Sequence, residues 1–97
     1  MTDISGLLKK LGLKEKGSYE NHFYIIPIAN SDDYAKMYTL LSEKAVNTEY
    51  PNFGKNSNNA TEEIINYFTL DDKNITYNIF LIANFKNDSY QVRIGEQ

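Results

Sequence analysis

Cysteine is absent from the chain, and its absence removes disulfide frameworks, thiolate nucleophiles and cysteine-ligated zinc together. Histidine occurs once, as His22. A lone imidazole beside bulky strand residues makes a poor metal site or proton relay, so its expected role is structural or at the surface. The five glycines, Gly6, Gly12, Gly17, Gly54 and Gly95, stand apart from one another. None of them builds a phosphate-cradling loop of the G-x-G-x-x-G or Walker kind, and no serine sits in a hydrolase elbow. Long apolar runs are missing too, and the first apolar positions, Ile4, Leu7, Leu8 and Leu11, are spaced apart. Neither a signal peptide nor a membrane span is expected, and the chain is read as cytoplasmic. Charge of one sign is scarce: 13 acidic against 10 basic residues give a formal net charge of −3, scattered along the chain. With no basic stripe to meet phosphates, a nucleic-acid partner is not expected.

What remains is a chain of 97 residues rich in Asn, Lys, Ile, Tyr and Phe, with 8 tyrosines and no tryptophan. That length suits one domain, residues 1–97, able to bury a core without a staple or a metal. The residue bias follows AT-rich codons and points to a low-GC bacterium, or a phage or mobile element resident in one. Tyrosines either finish a core with their hydroxyls at its edge or serve as rigid contacts on a binding face.

Asn87-Asp88 lies between two alternating apolar runs and signals a C-terminal β-hairpin spanning Ile75 to Ile94. A two-residue turn there pairs Phe85 with Tyr90, Ala83 with Val92 and Leu81 with Ile94 on a core face, and leaves Asn84 with Gln91 and Ile82 with Arg93 on the other. At the N-terminus, Ile4, Leu7, Leu8 and Leu11 follow a helical spacing, with Thr2 or Asp3 as cap and Gly12 at the end. Tyr19 to Ala29 reads as one strand, apolar on both faces in its second half, with Pro27 marking an edge or the end of pairing. A second helix is capped by Asn30 or Ser31, buries Tyr34, Met37, Tyr38 and Leu41, and carries Asp32 and Asp33 as ordinary first-turn acids. Val46 to Asn58 reads as irregular, and a third helix is expected from Asn59, with Ile64, Ile65 and Phe68 as its apolar side. The order αβααββ predicts a small two-layer α+β sandwich, with an antiparallel sheet of about three strands carrying helices on one face.

Paired carboxylates remain the one catalytic pattern to weigh, since Glu62, Glu63, Asp71 and Asp72 bracket the expected third helix. Their flanks are polar and lack the apolar wall that general acid and base work needs. The expected function is therefore non-enzymatic: a small acidic protein that binds a macromolecular partner, as inhibitors, antitoxins, immunity proteins and phage counter-defence proteins do. No cofactor and no metal are expected. The candidate contact residues are Tyr50 and Phe53 in the 46–58 loop, followed by Asn84, Gln91 and Arg93 on the exposed side of the hairpin. Two alternatives stand beside this reading. One is a homo-oligomeric structural or accessory subunit, dimerising through a strand edge and by preference that of the C-terminal strand. The other is a small-ligand or enzymatic domain with a tyrosine-lined pocket between helices and sheet.

Overall fold

The structure, a computed structural model, describes residues 4–13, 17–44, 47–49 and 63–97, the short 47–49 segment by its backbone alone. The elements run α1 (Ser5–Lys10), β1 (Ser18–Glu20), β2 (Phe23–Ile28), α2 (Ser31–Lys44), β3 (Asn47–Glu49), β4 (Glu63–Asp72), β5 (Ile75–Asn84) and β6 (Ser89–Glu96). The six strands form one antiparallel sheet in the order β1-β2-β6-β5-β4-β3. The α+β class and the placement of the helices on one face hold; the three-stranded sheet and the order αβααββ do not.

The largest difference is the expected third helix, which is the strand β4 over its described part. Ile64, Ile65 and Phe68 satisfy a helical spacing, but they lie among Tyr67, Thr69 and Leu70 in a run dominated by β-branched and aromatic side chains. Lys73 and Asn74 then settle the matter, since both have positive φ, 50° and 69°. That is the two-residue turn whose twist matches a hairpin, and it holds β4 against β5 from Asp72↔Ile75 to Glu63↔Asn84. The same turn at Asn21-His22, with φ of 51° and 72°, breaks the expected Tyr19 to Ala29 strand into β1 and β2. His22 is thus an exposed turn residue and not a strand residue. In the 46–58 segment, Asn47–Glu49 is the edge strand β3, paired with Tyr67 to Thr69.

The C-terminal hairpin is present with its faces as expected and its register shifted by two. Leu81 pairs with Val92 and Ala83 with Tyr90, and the loop is the four residues Phe85 to Asp88. Asn84 Oδ1 accepts the Asn87 backbone N–H at 3.1 Å, and Asp88 takes the left-handed φ of 53°, so side-chain capture at Asn84 lengthens the turn. A shift of two keeps every side chain on its face. Phe85 leaves the ladder and is 52% exposed, although its ring still meets Tyr90 at 5.6 Å. The C-terminal strand also has no free edge, because β6 lies between β2 and β5. In β2, Tyr24, Ile26 and Ile28 lie opposite Ile94, Val92 and Tyr90, with Ile25 and Pro27 between them opposite Arg93 and Gln91, and β1 stops opposite Ile25. The two-residue turn at Asn21-His22 makes Glu20 and Phe23 a hydrogen-bonded pair, so the backbone N of Pro27, four residues on, points away from β6, and its missing N–H interrupts no ladder among the described residues.

Both helices pack on one face. Ile4, Leu7 and Leu11 of the α1 region and Tyr34, Met37 and Leu41 of α2 close over Ile26, Phe68, Leu70, Tyr77, Ile79, Leu81, Ala83, Val92 and Ile94. Helix α1 begins without a side-chain cap at Ile4, and Thr2 and Asp3 lie outside the described residues. It ends on Gly12 at φ 70°, the left-handed position that glycine adopts at little cost. Helix α2 is capped by Asn30, whose Oδ1 accepts the Asp33 N–H at 2.8 Å. Inside this layer, Asn66 Nδ2 donates to the Tyr34 hydroxyl at 3.0 Å, so two buried polar groups satisfy each other.

Candidate open sheet face

Strand alternation sends every second side chain to the face away from the helices, and no described element packs on that face. The ladders arrange it in rows. Tyr67, Phe80, Arg93 and Ile25 make the central row across β4, β5, β6 and β2, and Ile65, Ile82, Gln91 and Pro27 make the next. On the other side of the central row lie Thr69, Asn78, Gly95 and Phe23.

Three rings run diagonally over these rows. Tyr67 and Phe80 have centroids 5.0 Å apart, and Phe80 meets Phe23 edge to face at 5.7 Å. Phe23 reaches Phe80 across β6 because Gly95 lies between them. A Cβ on Gly95 would stand 2.8 Å from the Phe23 ring, so the absent side chain is the space the ring occupies. Polar groups are held in place around the rings. Asn78 Oδ1 accepts the Tyr67 hydroxyl and, at 2.9 Å, the Gln97 side-chain amide. Arg93 Nε donates to Gln91 Oε1 at 2.8 Å. Tyr67, Asn78, Phe80, Phe23, Gln91 and Arg93 are half-buried, Gln97 is exposed, and Ile82 is only 8% exposed. The face thus has an apolar centre with an arginine in it and polar groups around it.

The candidate contact residues divide. Tyr50 and Phe53 lie outside the described residues. Gln91 and Arg93 are brought together at the middle of the open face and bonded to each other, while Asn84 sits one row nearer the turn, with its Oδ1 engaged by Asn87. Phe23, Tyr67 and Phe80 were not among the candidates. Reading the strand alternation back from Asn84 through Ile82 puts Phe80 with them, but Tyr67 was hidden by the helical reading of its segment.

The other patterns weighed in the sequence do not assemble. Glu63 and Asp72 stand at opposite ends of a ten-residue strand, about 30 Å apart at 3.4 Å per residue, so they cannot share a substrate. Asp72 instead pairs with Lys10 at 3.3 Å, and Asp71 accepts the Thr76 hydroxyl at 2.7 Å. Among the described residues no three His, Asp or Glu side chains converge as a metal site would require, and no helix is long and apolar enough to cross a membrane. A groove of about 510 Å³ does open between the helices and β2. It is not tyrosine-lined: Leu11, Leu13, Ile26, Met37 and Leu40 form its walls, with Asp33 and Lys36 at its margin. Tyr34 and Tyr90 are packed in the core, with both hydroxyl pKa values above the ordinary 10.0. Burial is the main cause for Tyr34, opposed by the Asn66 bond; for Tyr90 it is the hydrogen bond to Asp88, followed by burial and the Asp88 charge.

Comparison of the chain with protein-family models, with curated proteins and with solved structures finds no match.

Proposed function

We propose that this protein is a non-enzymatic binding module that acts by docking the open sheet face onto a protein partner, in the manner of small inhibitors, antitoxins, immunity proteins or phage counter-defence proteins. The observation that carries the reading is the aromatic diagonal Phe23, Phe80 and Tyr67 around the Arg93 and Gln91 pair. Ring and arginine side chains contribute most of the binding energy at protein interfaces, because they combine large apolar contact with oriented donors at a modest entropic cost. The rigidity of the surface favours docking. Its side chains stand on four paired strands, so little ordering remains to oppose association.

The test is affinity capture from the native host with two sets of variants, each first shown to melt cooperatively. Phe80→Ser and Arg93→Gln on the open face should lose the captured partner. Lys36→Ala and Glu43→Ala, on the outer surface of α2, should retain it. Capture that survives the first pair and fails with the second would move the function to the helical side.

A further inference from the structure

We infer that the partner meets Arg93 with a carboxylate, an Asp or Glu side chain set at the centre of its own docking surface and surrounded by basic groups. This rests on the docking reading above and adds the chemistry of the partner. Three observations lead to it. Arg93 is half-buried and flanked across the sheet by Phe80 on β5 and Ile25 on β2, apolar neighbours whose Cβ atoms stand about 5 Å from its own at the usual cross-strand spacing. Its Nε is already committed to Gln91, so the plane of the guanidinium is held and its two terminal nitrogens remain for an end-on, two-bond contact. Among the described residues no carboxylate pairs with Arg93.

The acids of this face stand at its margins. Glu20 lies on β1, opposite Phe23, while Glu63 and Asp71 lie at the two ends of β4. Each of these strands is two places from β6 in the sheet, or about 10 Å across at the usual strand spacing. The face therefore carries a central cation inside an acidic border, and a complementary surface carries a central carboxylate inside a basic border. A second copy of this chain does not fit, since its acids also lie at the margins. A half-buried guanidinium with no carboxylate partner among the described residues keeps part of its hydration in the free protein, and a carboxylate that closes on it in a water-poor interface gains a strong, oriented pair.

The full-length chain, labelled with ¹⁵N, can be titrated with two blocked pentapeptides, acetyl-Lys-Phe-Glu-Phe-Lys-amide and the same peptide with Gln at its centre. Arg93 Nε–Hε and the backbone amides of Phe80 and Gln91 report on the open face. The glutamate peptide should shift these signals and bind about fivefold tighter or more than the glutamine peptide, the gain of one charge-assisted pair over a neutral one. That preference should vanish in Arg93→Gln and shrink in Arg93→Lys, which keeps the charge and loses the planar fork. Equal binding of both peptides at the open face would overturn the carboxylate and leave the docking face standing. Shifts confined to the helical side, or no binding by either peptide, would overturn the docking reading as well. Two controls also decide against the proposal: Arg93 shifts on diluting the free chain would make a second copy the occupant, and an equal response to inorganic phosphate would make the site a general anion site.

Discussion

The two faces of one strand, β5, show how differently the same backbone can be used. Tyr77, Ile79, Leu81 and Ala83 point to the helices and are at most 2% exposed, whereas Asn78, Phe80, Ile82 and Asn84 point the other way into a layer of rings and polar pairs. On the first face every side chain is covered by another element, so its contribution is stability. On the second no described element covers the side chains, and Phe80, Tyr67 and Phe23 meet one another and stay half-buried. Residue type follows the division. Leucine, isoleucine and valine dominate the covered side, and the arginine that would be prohibitively costly there is accommodated on the open side.

The largest contrast comes from neighbours in sequence. Ala83→Asp buries a carboxylate at a fully covered position and should cost about 3 kcal/mol or more, while Asn84→Asp, which keeps the turn acceptor, should stay within about 0.5 kcal/mol. Urea titration of the two variants reads this directly, and equal costs would mean that the faces are misassigned. A milder contrast sets Leu81→Ala, expected to cost about 2–5 kcal/mol, against Phe80→Ala at about 1–2 kcal/mol, since Phe80 is half-buried and loses only part of its contacts.

The covered face has one polar pair that sharpens the comparison further. Tyr34→Phe leaves the buried Asn66 amide without its acceptor and should cost about 1–2 kcal/mol. It should also change the alkaline limb. Because the folded pKa of Tyr34 is raised, the unfolded chain ionises first, so its contribution is intact below pH 10 and declines as pH rises from 10.0 through the folded value. Denaturation of wild type and Tyr34→Phe between pH 9 and 11 should therefore give curves that converge on the alkaline side. The smallest effect belongs to Arg93→Gln. Removing a guanidinium that has no counter-ion among the described residues should change the urea midpoint by less than the equivalent of about 0.5 kcal/mol.

Much of this division was legible in the sequence where local and periodic signals agreed. The α2 stripe of Tyr34, Met37 and Leu41, the Asn30 cap and the Gly12 stop are as their spacing implies. The hairpin faces were also legible, because period-two alternation survives any even slip in register. The turn itself was not. Asn87-Asp88 resembles a two-residue hairpin turn, but Asn84 two residues past Ile82 supplies a side-chain acceptor that favours a longer loop. Lys73-Asn74 and Asn21-His22, which do adopt that turn, lack the glycine that usually announces it. The strand β4 was misread because Ile64, Ile65 and Phe68 suit both periods over so short a run, and only pairing with β5 decides between them. With β4 read as a helix, the row from Tyr67 to Arg93 had no β4 member, and the open face was reduced to its hairpin half.

The claim that the open face docks and the helical face supports is tested most directly by site-specific photocrosslinking in the native host. A photoreactive residue placed at Gln91, in the middle of the open face, should trap one partner protein, and the same residue at Thr39, exposed on the outer side of α2, should trap none. Adducts from Thr39 with none from Gln91, in proteins of equal stability, would contradict the account.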